Sequence, residues 1–373
     1  MAVTIYSTPQ LYAPSDNPLS FTFGSDQTGQ TNFSYKVQTI LDGTVVSEDQ
    51  VFAQSSNRGH FDCSPIVMNL MQLPRITNDL STNMDIISTL VIRVTERYGD
   101  PIADQDSADS VSVNTFKASL PDSEWEDKDF EGEYLDNLWL TDAPDNVFRV
   151  IRGQAVIGAM LTSGLNSLVV RFYDSSDILL DTYSVAHAYQ YWQVNLSSTN
   201  LSAVYLGVDY NDVAYFTTEI GASDVCTYYY VDDYCNGIHS LVWMNKYGTF
   251  DQYPIEHYVS SESTVQVRSY KKKYGNFSGT DFVYDVNSSG NLDFEKTITD
   301  KGTLVTNYMT DTIQNWFVST YDTLTHFLYN TEGILFRINV KSLSYKKKNG
   351  RFDELIMEEL RYEKTMPRKS IRL

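Results

Sequence analysis

Phe33–Val37 (FSYKV), Thr89–Val94 (TLVIRV), Leu168–Tyr173 (LVVRFY), Ser202–Val208 (SAVYLGV), Thr264–Tyr270 (TVQVRSY) and Ile334–Val340 (ILFRINV) all alternate apolar and polar side chains with a period of two. That period places every second side chain on one face, so each segment reads as a half-buried strand. Gly, Asn, Asp, Ser or Pro clusters flank most of them and supply the turns. Strands at this spacing, with few helical patterns between them, argue for sandwiches rather than a parallel sheet. The 27 Tyr and 18 Phe fit the same reading, because aromatic rings suit pleated, half-buried surfaces. The fold class expected is mainly β.

Two segments read as helix. Val67–Leu73 (VMNLMQL) allows about two turns before Pro74. Thr310–Leu328 is longer: Thr310 or Asp311 can cap it, and Ile313, Phe317, Tyr321 and Leu324 share one face.

A chain of 373 residues suggests two or three domains. Composition shifts at the acidic connector Asp122–Glu133 (DSEWEDKDFEGE) and again at Glu219–Asp224 (EIGASD). Three units are therefore expected: residues 1–118, a β-sandwich or jelly-roll-like unit at 119–219, and a β-rich α+β unit at 220–373 carrying the longer helix.

Charge limits the partners. Asp and Glu outnumber Lys and Arg by 48 to 28, a net −20 that repels phosphate backbones and makes direct nucleic-acid binding unexpected. The basic residues concentrate in the last unit. There Ser269–Phe277 (SYKKKYGNF) and Ser344–Phe352 (SYKKKNGRF) share SYKKK, a Gly and a Phe at matched offsets. Each reads as strand, basic hairpin tip, strand. The plain interpretation is a pair of solvated hairpins whose lysines discourage edge aggregation. The sharper one is a pair of basic tips that dock on the acidic surface of a neighbouring copy. Lys271, Lys272, Lys273, Lys346, Lys347, Lys348 and Arg351 are the candidate interaction residues.

Chemistry is harder to nominate. Cys226, Cys235 and His239 do not match common zinc spacings, and no HExxH, GxSxG, Walker or dinucleotide motif occurs. Asp285–Glu295 (DVNSSGNLDFE) resembles the start of a calcium loop but has Lys296 where a bidentate Glu is required, so a polar turn is expected. No catalytic residue, metal or cofactor is expected. Three cysteines do not make a disulfide framework: Cys226 and Cys235 could pair across a hairpin, but buried reduced thiols are the default. The opening MAVTIYSTPQ shows no secretory signal, and AVIGAML at Ala155–Leu161 is too short to span a bilayer. A protein made in a reducing cytoplasm, with no membrane partner, is expected.

The aromatic stretch Trp243–Ile255 (WMNKYGTFDQYPI) admits two interpretations. It has the residue types of a sugar-stacking platform. It also reads as strand, turn at Asn245–Gly248, and strand closed by Pro254, which is how a sheet corner buries its hairpin. The structural corner is the expectation.

Several segments together resemble virion structural proteins of short-tailed crAss-like and related phages of Bacteroidetes. They are Ser7–Phe23 (STPQLYAPSDNPLSFTF) followed by Gln30–Val37 (QTNFSYKV), Gly59–Leu70 (GHFDCSPIVMNL), Val91–Gly99 (VIRVTERYG), and the run LVWMNKYGTFD within Asp232–Pro254. The ending Thr310–Arg372, a helix followed by strands around a basic hairpin, is also similar. Tyr247-Gly248-Thr249 departs from the family's paired glycines, and the middle of the chain is unmatched. The resemblance implies an N-terminal immunoglobulin-like sandwich and a non-enzymatic tail or collar ring component. Such a protein would form a homo-oligomeric ring and contact other tail, portal or fibre proteins in the virion. The alternative function is a carbohydrate- or receptor-binding module of a tail fibre or adsorption apparatus.

Overall fold

Alternation becomes layered structure in the first part of the chain. The computed structural model describes residues 3–54, 57–76, 81–83, 86–125, 128–164, 166–187, 191–221, 224–231, 239–255, 257–271, 275–284, 291–307, 309–323, 325–329, 334–341, 358–365 and 368–371. Its first strands are β1 (Thr4–Ser7), β2 (Tyr12–Pro14), β3 (Ser20–Gly24), β4 (Ser34–Leu41), β5 (Thr44–Val51), β6 (Arg58–Asp62), β7 (Ser81–Asn83), β8 (Ser88–Tyr98), β9 (Ala103–Asp109) and β10 (Val113–Phe116). One sheet has the order β1-β3-β6; the other runs β2-β10-β8-β4-β5, with β9 also paired to β8. Strand β2 runs parallel to β10, while the other pairs are antiparallel. This is the immunoglobulin arrangement, an A-B-E sheet over a G-F-C-C′ sheet.

Every second residue of β4 and β8 points inward: Tyr35 and Val37 face Leu90, Ile92 and Val94, all fully buried. No disulfide ties the sheets together here. Phe23 and Tyr35 meet edge to face at 5.0 Å between ring centres instead. Burial pushes the Cys63 thiol up to about 12, so it acts as a small apolar side chain. The helix expected over Val67–Leu73 instead spans Ser64–Leu70, entered directly from β6 with Pro65 in its first turn. Asp62 fixes that turn by accepting from the amides of Leu19 (3.0 Å) and Ser64 (2.9 Å).

The middle strands are β11 (Val147–Ile151), β12 (Ile157–Leu161), β13 (Asn166–Tyr173), β14 (Leu179–His187), β15 (Tyr191–Asn195), β16 (Tyr215–Ile220) and β17 (Cys226–Val231). They form a five-stranded sheet, β11-β17-β16-β13-β14, and a three-stranded one, β12-β15-β7. Neighbouring strands lie about 4.8 Å apart, so aromatic residues in register must stack. On the inner face Phe148, Tyr228 and Phe216 do so at 5.0 and 4.9 Å. On the outer face Tyr173, Tyr215 and Tyr229 do so at 4.8 and 5.0 Å. The segment SAVYLGV, expected as a strand, instead ends a helix, Ser198–Val204. Ser197 caps it by accepting from the Asn200 amide at 3.1 Å, and Leu201 is the residue it buries. A local cap outweighs a short alternating pattern.

The remaining strands are β18 (His239–Met244), β19 (Phe250–Ile255), β20 (His257–Lys271), β21 (Gly275–Ser278), β22 (Asp281–Tyr284), β23 (Asn291–Val305), β24 (His326–Tyr329), β25 (Leu335–Val340), β26 (Glu359–Lys364) and β27 (Arg368–Ile371). Their main sheet has the order β19-β18-β24-β25-β26-β23-β20, with β27 also on β23, and β21 pairs with β22 separately. Pro254 lies inside β19 rather than ending it; β19 is an edge strand, where a missing amide is tolerated.

The helix expected over 310–328 is shorter. Thr310 caps Asp311–Phe317, a second short helix covers Ser319–Asp322, and strand β24 follows at His326. The β-branched Val318, Thr320, Thr323 and Thr325 weaken helical continuation. The Thr320 hydroxyl also bonds back to the Phe317 carbonyl at 2.7 Å.

The chain divides into two compact units, residues 1–232 with 243–253, and residues 233–242 with 254–373. Both sandwiches lie in the first. The break read at Glu219–Asp224 is the connection between β16 and β17, neighbours in one sheet. The acidic connector is not a free linker either: Phe130 within it and Tyr134 just after it are buried in a core with Phe116, Leu140 and Tyr247.

In the second unit His326 is buried, and its Nε2 lies 2.5 Å from the Thr320 carbonyl. Burial lowers its pKa, outweighing the carbonyl contact that raises it, so the fold holds the ring neutral. Stability that depends on the neutral ring is complete above the unfolded pKa of about 6.5 and is lost as pH falls through the lower folded value. Denaturant unfolding of this unit from pH 7.5 to 5 should therefore show a decline that His326→Gln flattens; equal slopes in both proteins would remove His326 as the cause.

Candidate functional site

The aromatic stretch is a buried corner. Trp243, Tyr247, Phe250 and Tyr253 are each at most 5% exposed, so they offer no ring faces to a sugar. Rings of this size each withdraw roughly 150–250 Å² from water, which makes them core. The turn is built on Asn245. Its amide oxygen accepts from the backbone amides of Tyr247 (3.0 Å) and Thr249 (3.2 Å), and its Nδ2 donates to the Leu140 carbonyl (2.9 Å) and to Asp251 (3.0 Å). Asp251, itself buried, also accepts from the Thr141 hydroxyl at 2.7 Å, while Thr249 donates to the Leu140 carbonyl at 2.6 Å.

The flanks of the turn tie three segments together. Lys246 Nζ bridges Glu124 (2.7 Å) and Asp142 (3.0 Å), and its carbonyl accepts from the Ser119 amide at 2.9 Å. The hydroxyls of Tyr247 and Tyr134 lie 2.9 Å apart. Gly248 has φ +75°, and a Cβ there would sit 1.6 Å from the Lys117 carbonyl oxygen. Glycine is required twice over, by backbone conformation and by close approach.

Thiol, phenol and carboxylate do meet beside this corner. Cys226, Tyr228, Trp139 and Asp251 line a small space with room for roughly one water. Burial raises both the Cys226 thiol and the Tyr228 hydroxyl well above their ordinary ranges. A space that small, holding protonated groups, admits no organic substrate. On the outer face Tyr215 packs against both Tyr173 and Tyr229, the latter 45% exposed. Among the described residues no group of three or more His, Cys, Asp or Glu is placed to hold a metal, and no helix is long and apolar enough to cross a membrane.

The second unit carries a different kind of surface. Strands β20 and β23, fifteen residues each, pair from His257↔Val305 to Lys271↔Asn291. At about 3.3 Å per residue this ribbon is roughly 50 Å long. On its inner side β23 also pairs with β26 and β27, whereas β20 ends the sheet order. From Ser260 to Lys271, β20 is exposed apart from half-buried Thr264; Val265 is 52% and Val267 47% exposed. Arg268, opposite Glu295, makes a 3.2 Å ion pair with it across the ribbon.

The predicted basic residues separate accordingly. Lys271 is exposed at the far end of β20. Lys272, Lys273, Lys346, Lys347, Lys348 and Arg351 lie outside the described residues, as do Cys235 and Asp285–Gly290 of the calcium-like loop. SYKKKYGNF is not a hairpin, since Ser269–Lys271 pairs with β23 while Gly275–Ser278 pairs with β22. The fifteen-residue ladder with a distant partner outweighs the local hairpin. Sequence reasoning located the basic end but missed the ribbon itself; the alternation at Thr264–Tyr270 was its signal.

Against known proteins, no family model and no curated protein matches the chain. Among solved structures it is similar to CBD12 from CALX1.2, with 8% identity over 59% of this chain and 79% of that one, at a TM-score of 0.20. The full extracellular region of plexin A4 gives 8% identity over 97% of this chain and 40% of that one, also at 0.20. Neither likeness carries an argument. The immunoglobulin-like assignment rests on strand order alone.

Gly248→Ala should destabilise the first unit by about 3 kcal/mol or more, since either the turn or the Lys117 backbone must move. Denaturant midpoints against wild type measure this, and a shift within error would mean the turn is not the anchor described.

Proposed function

We propose that this chain is a non-enzymatic structural protein of a phage virion, a tail or collar ring component that self-assembles and joins neighbouring tail, portal or fibre proteins. The observation that carries the reading is the exposed edge of the β20–β23 ribbon. Monomeric proteins usually shorten, bulge or cover such an edge, because its open amides and carbonyls recruit other strands. Here twelve residues, Ser260–Lys271, lie along it with two half-exposed valines.

Charge supports the same reading. Residues 257–373 hold 17 Lys and Arg against 14 Asp and Glu, while residues 1–256 hold 11 against 34. Opposite signs at the two ends of one chain favour head-to-tail association, and head-to-tail contacts close into rings when the rotation allows. The resemblance of the Asn245 corner and the N-terminal segments to ring components of short-tailed Bacteroidetes phages adds the biological setting.

Sedimentation and electron microscopy of the purified protein over a range of concentrations test this. Closed rings, with assembly weakening as salt rises, are expected. A protein that stays monomeric at high concentration, alone and with portal-region partners, would overturn the proposal.

A further inference from the structure

Strand β20 makes the ribbon more than an exposed surface. A strand paired on one side directs the amide and carbonyl of every second residue outward. Among the described residues no strand pairs with the outer edge of β20. The edge also lacks the usual protection in its middle: Ser263–Val267 (STVQV) holds neither charge nor proline. Its two bulges flank this stretch, between Tyr258 and Ser260 and between Arg268 and Ser269. Past Glu262 the strand carries Arg268 and Lys271 and no acid, and Lys272 and Lys273 follow in sequence. It is therefore a strand-pairing template with an uncharged centre and a basic end.

The geometry points to β20 as a strand-addition site whose occupant is a second copy of this chain, engaged through the acidic first unit. A second β20 in antiparallel register fits less well. Such a pair would be isologous, placing Glu262 of each copy near the basic end of the other, but it would leave the excess of 34 acids over 11 bases in residues 1–256 without a counterpart. An acidic edge strand avoids that: main-chain bonds form along β20 while Arg268 and Lys271 meet carboxylates. The first unit presents edges of this kind. Strand β5, at the end of its sheet order, carries Asp49, and strand β9 carries Asp106, while Glu48, Asp104 and Asp109 beside them pair with Lys36, Arg97 and Arg93 of the same chain. Association is then heterologous, as ring closure requires. This inference rests on the self-assembly proposed above and specifies the contact that performs it.

A photo-crosslinking residue placed at Gln266, on the full-length protein under assembling conditions, reads the contact directly. Crosslinked peptides should join residue 266 of one copy to residues 1–256 of another. The double variant Arg268→Glu, Lys271→Glu changes two exposed side chains, and circular dichroism with a denaturant midpoint against wild type checks that losing the Arg268–Glu295 ion pair leaves the ribbon folded. It should weaken association by about tenfold or more at low salt and by less at high salt. Normal assembly with crosslinks from residue 266 only to residues 257–373, or with none between copies, overturns this contact while leaving the ring proposal standing. A folded double variant that assembles like wild type does the same. Wild-type protein that never assembles overturns both.

Discussion

A single buried amide organises the first unit. Asn245 closes its own turn through two backbone amides and reaches out to the Leu140 carbonyl and the Asp251 carboxylate. Each bond alone contributes about 1 kcal/mol, but a buried polar group left without partners costs more than a bond returns. The turn is therefore all or none. Gly248 lets it press against Lys117, and Tyr247 then reaches Tyr134 at the end of the acidic connector. The connector becomes part of the core, and the tip of the β18–β19 hairpin becomes part of the first unit, although it lies over a hundred residues from the segments it joins.

The second unit follows a different rule. Its core includes the buried Gln314–Glu358 pair at 2.6 Å, and Gly302 lies under the Tyr362 ring of the paired strand. From this base the ribbon extends, and among the described residues no strand pairs with the outer edge of β20. The second unit leaves Val265 and Val267 half in water on that strand. An exposed β edge and charge segregated along the chain are the features on which the proposed assembly rests.

Much of the architecture was legible because β structure writes itself into sequence with a period of two. Strands β4, β8, β13, β20 and β25 were read from that alternation, and the corner at Asn245–Gly248 from its turn residues. The misreadings share one cause. SAVYLGV alternates but is captured by the Ser197 cap; Thr310–Leu328 has helical spacing but turns into β24; SYKKKYGNF looks like a hairpin but gives its first limb to β23. In each case a contact outside the window decided among conformations that the window alone left close in energy.

By itself the sequence determined that this is a mainly β protein, that acidic and basic residues separate along the chain, and that WMNKYGTFDQYPI would form a turn between strands. Those properties depend on local periodicity, turn chemistry and summed charge. Only the tertiary structure decided that the aromatic corner is core rather than a binding platform, that the acidic connector is packed, and that β20 is an edge. Burial and strand order depend on which distant segments meet, and one chain's residue pattern constrains those pairings only when all its segments compete at once.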